Sequence, residues 1–166
     1  MNCSLRPVGP AQRAPLERIT AATGLFRPAE VATAVELLDE CLAGDPDYRF
    51  VGAYDHEELA GYACWGPTPG TQGTADLYWI VVDPARQRQG VGTALWTAVE
   101  TELVGGAYRL VVVETSARPD YAPTRAFYAR HGFREVATIP DYYAPGDALT
   151  IYLKDLRRGV LARTPA

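Results

Sequence analysis

The chain has 166 residues, 48% hydrophobic and 22% charged, which is the balance of one ordinary globular domain and excludes a disordered or fibrous chain. Its formal net charge is −4, from 16 Lys and Arg against 20 Asp and Glu, and no dense basic run supplies the footprint of a nucleic-acid binder. Cys3, Cys41 and Cys64 stand far apart, with only His56 and His131 as further soft ligands, so neither a zinc-ligand spacing nor a disulfide framework is present. No metal is expected. No apolar h-region opens the chain, and no apolar run approaches the roughly 18 residues of a membrane helix, so a cytoplasmic protein without membrane contact is the expectation. Cys41 and Cys64 lie in apolar runs and read as buried thiols, while the acidic balance suits a cationic acceptor.

In chain order, Ser4 to Val8 reads as a short strand and Pro15 to Ala22 as a short helix stopped at Gly24. A clearer helix starts at Pro28, where Val31, Val35, Leu38 and Leu42 fall on one face, and Gly44-Asp45-Pro46 ends it. Tyr48 to Tyr54 and Leu59 to Trp65 flank Asp55-His56-Glu57-Glu58 as a hairpin. Gly66 to Gly73 is a loop. Thr74 to Val82 is a third strand whose apolar end is expected to be buried on both faces. Gly90 to Val104 is helical, with Leu95, Trp96, Val99 and Leu103 together. Leu110 to Val113 is a short aliphatic strand ending near Glu114, and Pro123 to His131 a helix closed by Gly132 and Phe133. Arg134 to Ile139 and Leu149 to Leu153 are strands around a loop from Pro140 to Ala148, and the polar segment Arg157 to Ala166 is expected to fray. The order β-α-α-β-β-β-α-β-α-β-β, without internal repeats or linkers, predicts one α/β domain.

Chemistry concentrates between Val81 and Trp96, where a strand meets Gln87-Arg88-Gln89-Gly90-Val91-Gly92 and then a helix. A helix start leaves four backbone N–H groups without intrahelical partners and carries a partial positive charge. Glycines at 90 and 92 let a ligand approach that backbone, which makes an anion cradle suited to a phosphate. Thr93-Ala94 follow where a Walker loop needs Lys-Ser/Thr, and Leu95 stands where a dinucleotide fingerprint wants a third glycine. A ligand-free glycine-rich turn is the alternative.

Gln-x-x-Gly-x-Gly between strand and helix resembles the pyrophosphate loop of the GNAT superfamily of acyl-CoA-dependent N-acyltransferases. Ala126-Phe127-Tyr128-Ala129-Arg130-His131-Gly132-Phe133 is similar to the family's second helix motif, and the element order matches over Cys3 to Leu156. The resemblance implies a single GNAT-like α/β domain over residues 1–156, followed by a polar tail, 157–166. It implies a mixed central sheet of about six to seven strands with flanking helices, whose splayed central strands hold CoA. Acetyl-CoA would be the cosubstrate and an amine, on a small molecule or a peptide, the acceptor; a homodimer is compatible with it. Gln87, Arg88, Gln89, Gly90, Val91, Gly92 and Thr93 would hold the pyrophosphate, with Arg86 and Arg88 adding charge. Ile80, Val81 and Val82 would pair with the pantetheine arm.

Aminolysis of a thioester requires an amine to lose a proton and a thiolate to gain one, since their pKa values are near 10 and 8.5. Tyr128 matches the family's acid. Asp76 and Glu114 each resemble carboxylates that relatives use as base, and Tyr78 is expected beside Asp76. Family members often carry Asn where this chain has Tyr121. Asp141-Tyr142-Tyr143-Ala144-Pro145-Gly146-Asp147 resembles the Tyr-Tyr hairpin of ribosomal-protein N-terminal acetyltransferases, and Tyr142 and Tyr143 are expected to meet an ammonium by cation–π attraction. A small-amine acetyltransferase, a peptide N-terminal or lysine acetyltransferase, and a non-catalytic acyl-CoA-binding domain are the readings these residues support.

Overall fold

In the computed structural model, which describes residues 3–157, the expected order of elements holds throughout. The strands are β1 (Ser4–Arg6), β2 (Arg49–Asp55), β3 (Glu58–Pro67), β4 (Thr74–Val82), β5 (Leu110–Ser116), β6 (Arg134–Ala144) and β7 (Asp147–Asp155). The helices are α1 (Arg13–Ala22), α2 (Pro28–Leu42), α3 (Val91–Gly105) and α4 (Ala122–Arg130). All seven strands form one sheet in the order β1-β2-β3-β4-β5-β7-β6. Only β4 and β5 run parallel; every other neighbouring pair is antiparallel. The expected tail, apart from Arg157, lies outside the described residues.

Helical spacing decides which side chains reach the sheet. Leu16 and Ile19 of α1 and Ala34, Val35 and Leu38 of α2 pack on one face against Phe50, Tyr62 and Cys64. On the other face Leu95, Trp96, Val99 and Leu103 of α3 meet Trp65, Leu77 and Val111, and Tyr128 of α4 joins them. Covered on both sides, the central strand β3 is buried from Leu59 to Gly66. Its one phenol there, Tyr62, shares a 2.8 Å hydrogen bond with the Thr20 hydroxyl, which donates to the Leu16 carbonyl at 2.7 Å. Both buried hydroxyls are thereby satisfied.

Two irregularities set the course of β4. Its parallel pairing with β5 covers only Thr74↔Leu110, Ala75↔Val111 and Asp76↔Val112, after which the strands part. Across β4's other edge, Cys64 pairs with Trp79 but Trp65 pairs with Leu77, so Tyr78 is the extra residue of a bulge. The bulge reverses which side chains face which layer. Ala75 and Leu77 point into the α3 layer before it, whereas Trp79 and Val81 point into the α1–α2 layer beyond it, leaving Ile80 and Val82 against α3.

Three expectations are corrected. The end of β4 is not buried on both faces: Tyr78 is 36% exposed and Trp79, Ile80 and Val82 are half-buried, because β5 has moved away from that edge. The loop from Pro140 to Ala148 is instead the end of a long hairpin, since β6 continues to Ala144 and β7 begins at Asp147. A proline inside β6 is tolerated because β6 is an edge strand, with a register shift between Ile139 and Ala144. The aliphatic strand also continues to Ser116, which puts Glu114 within β5 and not at its end.

The fold depends on a close approach at Gly66, where a Cβ would run into the Asp47 carbonyl oxygen. Gly66→Ala is therefore expected to destabilise the protein by about 2 kcal/mol or more, measured by denaturant unfolding.

Candidate active site

Where β4 leaves β5, a cleft of about 940 Å³ opens, walled by both strands, the turn before α3, α4, the α1–α2 connection and the β6–β7 turn. It gathers residues from five separate stretches of chain. That volume suits a small-molecule site.

At one end the chain turns from β4 into α3. The Asp83 carboxylate accepts from the Ala85 amide at 2.9 Å and starts a short 3-10 turn, Pro84–Arg86. Arg88 (φ 59°) and Gly90 (φ 87°) are both left-handed, and Gly90 caps α3. Successive turns of this kind aim backbone N–H groups into one concavity, and the first amides of α3 add theirs. Gly92 serves a different purpose: a Cβ there would sit 3.3 Å from the Phe127 ring, so its absence lets α4 close against the turn. Gln87, Arg88, Gly90, Val91, Gly92 and Thr93 line the cleft. Gln89 does not; its side-chain amide donates to the Ala85 carbonyl at 3.1 Å.

The arginines divide. Arg86 is turned away, ion-paired with Asp55 and with Glu58 at 3.3 Å on the β2–β3 hairpin, which corrects its expected role in the cradle. Arg88 and Arg130 line the cleft and have no carboxylate partner among the described residues. Arg130 went unread in the sequence. Its signal was a cation on the exposed last turn of α4, one turn from a cleft residue. Thr93 and His131 link α3 to the end of α4 through a 3.4 Å Oγ1–Nε2 contact, and burial followed by the charges of Lys154 and Arg130 holds the imidazole below its ordinary value.

Further in, Tyr128 lines the cleft although only 5% exposed, and burial pushes its phenol well up. Asp76, at the last register pair before the strands part, accepts from Thr68 Oγ1 at 2.8 Å. Tyr78 lies close to it: burial first, then the Asp76 charge, raises that phenol to about 12. Glu114 is exposed on β5 and carries no hydrogen bond or ion pair among the described residues. Tyr143 is raised to about 12 by burial and then by Glu114, so these two are neighbours. All five line the cleft, but Tyr142 does not; it is 54% exposed. The two tyrosines stay together, ring edge to ring face at 5.1 Å, so Tyr142 covers Tyr143 from the solvent side.

Phe26, Trp79 and Tyr121 complete the walls and were not singled out as site residues by the sequence, except Tyr121 as a departure. Phe26 meets Trp79 edge-on at 4.9 Å. Tyr121 donates its hydroxyl to the Leu25 carbonyl at 3.1 Å.

The profile of the acetyltransferase (GNAT) family matches residues 17–133. A solved structure of a GNAT-family protein from Desulfovibrio desulfuricans is 42% identical, with 93% of this chain and 99% of that one covered at a TM-score of 0.88. The ribosomal-protein-alanine N-acetyltransferase of Escherichia coli is 20% identical over 93% of this chain and 94% of its own, with a TM-score of 0.78. The PaiA N-acetyltransferase of Thermoplasma acidophilum, solved with coenzyme A, is 16% identical over 93% and 99%, with a TM-score of 0.75. No match is found among curated protein sequences.

Because burial favours the neutral phenol, Tyr128 should not contribute phenolate where ordinary tyrosines titrate, near pH 10. Wild type and Tyr128→Phe are expected to give the same ultraviolet tyrosinate absorbance up to about pH 11. A smaller signal in the variant below that pH would show an ordinary phenol.

Proposed function

The chain belongs to the acetyltransferase (GNAT) family, with acetyl-CoA as cosubstrate, and on that premise we propose that it acetylates the primary amine of a small molecule. The observation that carries the reading is that Asp76, Glu114 and Tyr128 line one cleft whose far end is the backbone cradle of residues 87–93. Acetyl-CoA supplies the acyl group as a thioester. The cradle suits its phosphates: left-handed residues at 88 and 90, a helix start and two unpaired arginines converge there. The parted edge of β4 from Ile80 to Val82 offers backbone groups to the amide-bearing pantetheine arm.

Transfer is direct, without a covalent enzyme intermediate. Asp76 or Glu114 takes the proton from the incoming ammonium. Glu114, exposed and unpaired, is free to do so; Asp76 shares its charge with Thr68. Tyr128 gives a proton to the departing sulfur, and its raised phenol keeps that proton at neutral pH. The bulge at Tyr78 turns backbone polar groups out of the ladder beside these residues, where a donor stabilises charge on the acyl oxygen.

A peptide N-terminus is the second reading, favoured by the adjacency of Glu114 and Tyr143 at the mouth. Three unbridged cysteines fit a reducing cytoplasm. Among the described residues, no helix is long and apolar enough to cross a membrane.

Calorimetric titration with acetyl-CoA, followed by thiol release against a panel of amines and peptides, tests the activity. Absence of binding at millimolar ligand would remove it. Tyr128→Phe is expected to lower turnover by about 10²–10⁴-fold with the acetyl-CoA Kd unchanged, and the larger loss between Asp76→Asn and Glu114→Gln identifies the base. For the cradle, Arg130→Ala should weaken CoA by about tenfold. Equal weakening of dephospho-CoA would place Arg130 away from the 3′-phosphate.

A further inference from the structure

Three segments form the mouth of the cleft opposite the cradle: the α1–α2 connection, residues 23–27; the β5–α4 connection, residues 117–121; and the β6–β7 turn with Asp147. Nothing in their sequences links them. One side chain reaches all three. Arg118 sends its guanidinium to the Leu25 carbonyl at 3.5 Å, to both Asp120 oxygens at 3.0 and 3.2 Å, and to Asp147 at 3.6 Å. Its plane stacks on the Tyr121 ring at 5.2 Å, and Tyr121 donates to the same Leu25 carbonyl. The base of the arrangement is fastened as well. Ser116 Oγ bonds Asp147 at 2.5 Å and accepts from the Arg118 amide at 3.0 Å, while Arg125 donates to the carbonyls of Ser116 and Arg118 at 2.8 Å each.

Leu25, Ser116, Arg118, Asp120, Tyr121 and Asp147 all line the cleft. The other cleft arginines near the cradle, Arg88 and Arg130, have no such partners among the described residues, so the cleft carries free cations at one end and a fully engaged one at the other. A guanidinium can do this because it holds five donors in a plane and stays charged; an ammonium has neither the fork nor the stacking face.

We propose that Arg118 is the positioning residue of the acceptor subsite, holding three mouth segments in register so that the amine is presented to the carboxylates, with no part in binding CoA. This rests on the acetyltransferase reading for its kinetic consequence but not for its mechanical one. Displacement of a binding wall by about 1 Å costs up to 10²-fold in rate through lost orientation.

The test combines amide hydrogen exchange with steady-state kinetics on Arg118→Met, Arg118→Lys and Tyr121→Phe, using spermidine and 2-phenylethylamine as acceptors. Arg118→Met should raise exchange at residues 24–27 and 146–148 by about tenfold, leaving 87–93 unchanged. Tyr121→Phe should loosen 24–27 only. In kinetics, Arg118→Met should lower kcat/KM for the amine by about tenfold, through kcat more than through KM, with the acetyl-CoA Kd within twofold, and Arg118→Lys, which keeps charge without the fork, should behave like Met and not like wild type. Unchanged exchange in the mouth, equal loosening of 87–93, or a parallel rise in the acetyl-CoA Kd would each overturn the proposal. If Arg118→Met does not fold, Arg118→Lys and Tyr121→Phe decide the exchange result. Lack of wild-type turnover with any amine or peptide would count against the activity alone, since the exchange pattern is read without an acceptor.

Discussion

Between β4 and β5 the ladder stops after three register pairs, and most of the molecule's chemistry descends from that stop. Buried backbone N–H and C=O groups are costly to leave without partners, so two central strands that part must face something able to hydrogen-bond. Here they face a cleft. Each strand is secured along its other edge, β4 by β3 and β5 by β7, so the gap is flanked by paired strands on both sides.

The two ends of the cleft are electrostatically different because they are built from different materials. The cradle is backbone: left-handed turns and a helix start, with unpaired Arg88 and Arg130 beside them. Fixed dipoles need no rearrangement to meet an anion. The other end is side chains, with Asp76, Glu114, Asp120 and Asp147 against the engaged Arg118. Between them the Tyr128 phenol is embedded in the α3-side core, packed against Phe133 at 5.5 Å and Tyr152 at 6.0 Å, which fixes its direction and keeps it neutral. One residue thus belongs to both the core and the cleft.

The bulge at Tyr78 reconciles a strand that must fill two layers with a cleft that cuts across it. Were Tyr78 absorbed into the regular alternation, Trp79 and Val81 would face the α3 layer and Ile80 and Val82 the α1–α2 layer. With the bulge, Trp79 turns to Phe26 and forms a wall of the cleft, and Ile80 and Val82 stay beside the cradle. The same device that bends β4 away from β5 also re-aims the side chains that line the gap.

Much of this was legible in the sequence. Val31, Val35 and Leu38 at helical spacing fixed α2, Thr74 to Val82 was bounded by a glycine and by Asp83-Pro84, and Gln-x-x-Gly-x-Gly with Phe-Tyr and Gly-Phe about 40 residues later pointed to the family and its cleft. These signals are local, written within a few turns of chain by period, breaker and glycine. What tertiary structure alone decided is non-local. Arg86 looked equal to Arg88 until Asp55 and Glu58 of a distant hairpin claimed it. Tyr142 and Tyr143 looked alike until the hairpin set Tyr143 into the cleft wall and left Tyr142 in solvent, and Pro140 read as a breaker because no sequence says that a strand will be an edge. Tyr121 meets Leu25 across 96 residues, and Arg118 joins three loops whose separate sequences carry only turn chemistry. Local spacing selects the elements; which side chains meet across the cleft is set by how the sheet twists, bulges and parts once they pack.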